Sequence, residues 1–249
     1  AVGKNSLAAN TTGIENVAVG NIALDANTTG SSLAAFGNGA LSANTTASDN
    51  SAFGKSSLLF NTTGARNTAV GKDALRANTT ANNNTAVGYS SLAANTTGAS
   101  NVAVGTSALA ANTTGTPNTA TGKNSLASNT NGGNNTANGF YALEANTSGG
   151  NNVAVGGNAL EFSTTASNNT AVGKASLNAN TTGTQNVAVG FNALVINTTG
   201  SYNVSLGNYA GQTITTGNGN VSLGYNSNPT SPTVDNQFTL GSSSITNLR

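Results

Sequence analysis

Residues 67–83 read Asn-Thr-Ala-Val-Gly-Lys-Asp-Ala-Leu-Arg-Ala-Asn-Thr-Thr-Ala-Asn-Asn, and Asn84-Thr85-Ala86-Val87-Gly88 begins the same phrase again. The glycine of that phrase recurs every 17 residues, at Gly3, Gly20, Gly37, Gly54, Gly71, Gly88, Gly105, Gly122, Gly139, Gly156, Gly173, Gly190, Gly207 and Gly224, and once more at Gly241. A short period held along a whole chain signifies a stack of near-identical units, each contacting only its neighbours. The consensus is N-x-A-V-G-x-x-A-L-x-A-N-T-T-G-x-x, and residues 67–83 depart from it only at Ala81.

The x-A-V segment alternates faces as a short strand does. The A-L-x-A-N-T-T segment offers a second extended stretch, and the glycines and asparagines supply turns. Asn, Thr and Gly in every unit disfavour helix. The expected fold is all-β: a parallel β-solenoid or β-roll with 17-residue coils and two short strands per coil. Stacked at about 4.8 Å, fourteen coils give a rod of roughly 65–70 Å. The shaft is expected over residues 1–227. Residues 228–249, where Asn228-Pro229-Thr230-Ser231-Pro232 interrupts the pattern, are expected to form a C-terminal cap or transition segment preceding a further domain. The start in mid-repeat, at Ala1-Val2-Gly3, suggests a segment of a longer protein.

Composition narrows the function. Charged residues make up 6% and the net charge is +1, which argues against nucleic acid or an anionic membrane as partner. Cys, Met, His and Trp are absent, so disulfide, thiolate and imidazole chemistry are excluded from this chain. No apolar run approaches the 18 residues of a membrane-spanning helix, and no membrane insertion is expected.

In a stack, identical residues lie above one another. An Asn column can form an amide ladder, and a Thr column suits extended backbone. Asn27, Thr28, Asn78, Thr79, Asn112, Thr113, Asn180 and Thr181 represent this expected ladder. Adjacent Thr residues should face opposite ways, which weakens a flat ice-binding face as an alternative. Formal N-glycosylation sequons such as Asn10-Thr11-Thr12 give a third reading of the same tract. The Ala column before the glycine suits a thin interior. The Val/Phe column beside it must point outward, leaving an apolar stripe that a second copy of the chain would cover. A parallel homo-oligomer is therefore expected.

The motif in Asn67-Thr68-Ala69-Val70-Gly71 and Asn186-Val187-Ala188-Val189-Gly190 resembles the S-V-A-I-G repeats of trimeric autotransporter adhesin heads. The resemblance implies a trimeric left-handed parallel β-roll. The longer N-T-A-V-G-x-x-A-L-x-x-N-T-T-G form is similar to repetitive shafts of bacteriophage tail fibres and related bacterial fibres, over about residues 1–227. Asp235-Asn236-Gln237-Phe238-Thr239-Leu240-Gly241 is similar to the stretch before the endosialidase-type intramolecular chaperone of phage fibres. In that family the chaperone trimerises the fibre and cuts itself off.

Variation concentrates at a few columns expected to face solvent, among them the position after each glycine. Lys72, Tyr89, Phe140, Phe191 and Tyr225 are the candidate glycan contacts there, through stacking and cation–π interaction. Glu144 and Glu161 share a column in consecutive coils, a spacing of interest for glycoside hydrolysis. Asp25, Arg76 and Ala93 occupy that column elsewhere, so it reads as solvated. No catalytic residue, metal site or cofactor is assigned. The expected function is a non-enzymatic fibre shaft of a phage tail fibre or bacterial surface appendage, extracellular or on the virion surface. The alternatives are an adhesin rod that itself binds host-surface glycans, and an ice-binding solenoid.

Overall fold

A computed structural model describes residues 1–242; residues 243–249, part of the expected C-terminal segment, lie outside the described residues. The chain divides into two compact units, Ala1–Asn131 and Gly132–Arg249. Both are all-β parallel solenoids with 17-residue coils, and no helix is present among the described residues.

The first unit stacks β1 (Val17–Val19), β2 (Ala34–Phe36), β3 (Ser51–Phe53), β4 (Thr68–Val70), β5 (Thr85–Val87), β6 (Val102–Val104) and β7 (Asn118–Thr121). Each pairs in parallel with the next, Ala over Ala, as in Ala18↔Ala35 and Ala69↔Ala86. The second unit stacks β8 (Asn135–Asn138), β9 (Val153–Val155), β10 (Thr170–Val172), β11 (Val187–Val189), β12 (Val204–Leu206), β13 (Val221–Leu223) and β14 (Phe238–Leu240) in the same way.

Each coil therefore holds one regular strand, not the expected two. The A-L-x-A stretch does bond coil to coil: Leu24 N donates to Ala40 O at 3.0 Å and Ile22 N to Lys4 O at 2.9 Å. It is not a strand because it contains left-handed residues. Leu24, Leu58 and Leu75 have φ of 52°, 49° and 50°, and two positions earlier Ile22, Ser56 and Asp73 have φ of 50° to 58°. The consequence is visible in burial. Ala23 and Leu24 are neighbours, yet both face inward, as do Ala74 and Leu75; regular strand alternation forbids this. A left-handed Leu costs about 1–2 kcal/mol. Burying its side chain contributes roughly 1.5–3 kcal/mol, so the arrangement can be sustained.

The interior is correspondingly richer than an Ala-only cleft. In the first unit it comprises the Ala18-to-Ala120 column, the Leu24-to-Leu126 column, an Ala/Ser column and asparagines, all fully or almost fully buried. In the second unit the Ala column runs from Ala137 to Ala188 and continues as Ser205 and Ser222. There the proline tract keeps the 17-residue step: Thr215 N donates to Pro232 O at 2.9 Å, and Gln237 N to Asn220 Oδ1 at 2.9 Å.

The periodic glycine turns the chain out of each strand. Gly71 has φ of 136°, and a Cβ there would lie 2.4 Å from the carbonyl oxygen of Gly88 in the next coil. Both conformation and space exclude a side chain. Gly71→Ala should lower unfolding stability by about 2–3 kcal/mol in chemical denaturation. Thr63→Ala, on an exposed position of the same unit, should change it by less than about 0.5 kcal/mol. Equal midpoints for the two variants would contradict the close-approach account.

Candidate functional site

The expected ladder residues lie inside the coils. Asn27 Nδ2 donates to Asn10 Oδ1 at 2.8 Å, and Asn78 Nδ2 to Asn61 Oδ1 at 2.8 Å. Asn112 Nδ2 donates to Asn95 Oδ1 at 2.8 Å and, in the second unit, Asn197 Nδ2 to Asn180 Oδ1 at 2.9 Å. Each amide also closes its own turn, as Asn78 Nδ2 does to Ala81 O at 3.0 Å. A second asparagine column supports the first. Asn67 Nδ2, at the start of the same repeat, reaches the same Ala81 carbonyl at 2.8 Å, while its Oδ1 accepts from Asn84 N of the next coil at 3.0 Å. Two amides thus satisfy both lone pairs of one buried carbonyl. Asn27, Asn78, Asn112 and Asn180 are fully buried, so these sequon asparagines are inaccessible to a glycosylating enzyme in the folded chain.

The threonines behave differently. Thr28 Oγ1 donates to the backbone carbonyl of Thr45 at 3.0 Å, and Thr79, Thr113 and Thr181 do the same to Thr96, Thr130 and Thr198. These are side chain-to-backbone bonds, while the following Thr of each pair is exposed.

Two kinds of outward surface remain. The first is the outer face of the strands. In the first unit its second column runs Val19, Phe36, Phe53, Val70, Val87, Val104 before Thr121; Val70 and Val104 are each 38% exposed. Phe36 and Phe53 stack with ring centroids 4.9 Å apart. In the second unit the column is apolar from Val155 through Val189 and Leu206 to Leu240.

The second surface is the column after the glycine. Lys72 Nζ lies 5.4 Å from the Tyr89 ring centroid, one coil away. Phe140 meets Tyr141, with centroids 3.8 Å apart. Phe191 and Tyr225 are bridged by Tyr209, through edge-on contacts of 5.2 and 6.2 Å. Tyr209 belongs to the adjacent column, as do Asp73 and Tyr141, and a column-by-column reading misses such partners. Arg76, also outside the column, lies 5.0 Å from the Phe60 ring centroid.

Glu161 of the Glu144/Glu161 column accepts hydrogen bonds from Asn158 Nδ2 and Asn178 Nδ2, both at 2.8 Å. Its carboxylate is held by amides. Among the described residues no three acidic, His or Cys side chains gather where a metal ion could be held. Comparison with protein-family models, with curated proteins and with solved structures returned no match.

The ladder has one interruption that can be repaired. Ser163 occupies the Asn column between Asn146 and Asn180, is fully buried, and its Oγ has no hydrogen-bond partner. Asn180 Nδ2 is left with the turn carbonyl of Gly183 alone, at 2.9 Å. Ser163→Asn should raise stability by about 1 kcal/mol, read as a higher thermal midpoint. Asn78→Ala, which strands Asn61 Oδ1 and empties a buried volume, should cost about 3 kcal/mol. A destabilised Ser163→Asn variant would argue against the ladder as a stabilising unit.

Proposed function

We propose that this chain is a structural segment of a fibre, a non-enzymatic shaft whose copies associate in parallel through the outer face of the strands. The observation that carries this reading is the apolar column on that face, repeated coil after coil within each unit. A contiguous exposed apolar stripe on a regular sheet marks an interaction surface. Because the stripe repeats every 17 residues, a second copy laid parallel and in register meets matching side chains at every coil. Each valine contributes only a fraction of the roughly 1.5–3 kcal/mol for full burial, so strength comes from number.

Three-fold association, and assignment to a phage tail fibre or bacterial surface appendage displayed extracellularly or on a virion, rest on the resemblance of the N-T-A-V-G repeats to those families. In such a shaft the coils act mechanically. Backbone ladders and buried amides leave few openings for proteolysis or local unfolding, and the chain serves as a stiff spacer that brings an attachment surface to its target.

Light scattering with sedimentation tests the reading. The expected mass is three times the 24.2 kDa of the chain. Paired Val70→Lys and Val104→Lys substitutions, both on the outer face, should dissociate the assembly while leaving the β circular-dichroism spectrum intact. A monomeric mass at every concentration would overturn the proposal.

A further inference from the structure

Three of the eight cationic residues of the chain, Lys55, Lys72 and Arg76, gather around one surface cleft in the first unit. The cleft has a volume of about 430 Å³. The small residues Ser56, Ser90 and Ala93 line it together with Asp73. Lys55 and Lys72 follow one another in the column after the glycine, so their backbones are about 4.8 Å apart. Like charges stacked in this way repel. Elsewhere on the surface such an arrangement is relieved: the Glu161 carboxylate, one coil from Glu144, is held by Asn158 and Asn178. The Lys55 ammonium has no ion-pair or hydrogen-bond partner among the described residues.

The other two cations have an acidic neighbour. Asp73 lies 3.8 Å from both Lys72 Nζ and Arg76 Nε, and its side chain is less exposed than theirs. The Tyr89 ring flanks Lys72, and the Phe60 ring flanks Arg76. One carboxylate thus lies beside two cations and leaves the cleft with a net charge of two positive units, beside a half-exposed tyrosine.

We propose that this cleft binds an acidic saccharide, a sugar ring bearing a carboxylate. The carboxylate pairs with Lys55 and with the planar fork of Arg76, which suits two-point recognition. Ser56 and Ser90 offer hydroxyls to the sugar hydroxyls, and Tyr89 offers an amphipathic ring beside them. The patch is too local for a nucleic-acid backbone, which requires an extended basic track. Because the charges are exposed, each single contact is weak and salt-sensitive. The site does not depend on the fibre reading; parallel copies would add avidity by repeating it.

Calorimetric titration of the full chain with an oligogalacturonate, with a neutral galacto-oligosaccharide and with inorganic phosphate tests the proposal. The oligogalacturonate should bind, and its affinity should fall about tenfold in Arg76→Gln and in the double variant Lys55→Gln/Lys72→Gln. Binding should be unchanged in Lys174→Gln, which lies in the same column of the second unit. High salt should weaken it. These exposed substitutions should leave the circular-dichroism spectrum unaltered. Absence of oligogalacturonate binding, equal binding of the neutral sugar, phosphate binding as tightly as the uronate, or an equal loss in Lys174→Gln would each overturn it.

Discussion

Parallel backbone hydrogen bonding at a constant 17-residue step is the constraint on which the rest of each unit depends. Once Ala69 lies over Ala52 and under Ala86, every other residue of the coil is forced into its own column. The step also sets how closely coils approach, and the periodic glycine is one place where backbone meets backbone. With the Gly88 carbonyl occupying the place of a Gly71 Cβ, no other residue fits. The left-handed leucines follow from the same requirement. A coil this short must reverse direction tightly while keeping enough apolar volume inside, and positive φ turns Leu75 inward beside Ala74.

Polar groups are buried on the same principle. A coil with three-residue strands leaves many backbone carbonyls without a strand partner, and burial makes each one costly. The two asparagine columns meet that need. Each amide bridges one coil to the next and caps a turn carbonyl, so the interior is hydrogen-bonded along its length. The defects confirm the rule by position. Asn197 Oδ1 has no donor where Ile214 replaces the next Asn, and Ser163 Oγ is unmatched where a shorter side chain cannot span the step.

Stacking identical residues about 4.8 Å apart has an electrostatic consequence. A charged column would repel itself, and the chain keeps charge to 6% of its residues. Where charges do occur, neighbours offset them: Ser42 donates to Asp25 at 2.6 Å, and the Asn158 and Asn178 amides engage Glu161. In the Lys55–Lys72 pair only Lys72 has an acidic neighbour, Asp73. Interior columns are constrained by packing, whereas outward columns vary freely, so any recognition must be built from outward residues of neighbouring coils.

The sequence by itself determined the period, the all-β class, the parallel stacking of Ala on Ala and the candidacy of Asn and Thr for ladders. All of these follow from regular spacing, because a residue's column is its number modulo 17. Sequence reading also identified Lys72, Tyr89, Phe140, Phe191 and Tyr225 as outward, since variation at one column marks freedom from packing. Only the tertiary structure decided that each coil has one strand, because positive φ at leucine runs against that residue's local preference and is sustained by burial. It alone showed that threonine hydroxyls bond backbone rather than one another. It alone brought Arg76, Asp73 and Phe60 beside Lys72, and Tyr209 between Phe191 and Tyr225. Those contacts cross from one column to the next, and their geometry is set by how the turn aims each side chain, which spacing along the chain does not encode.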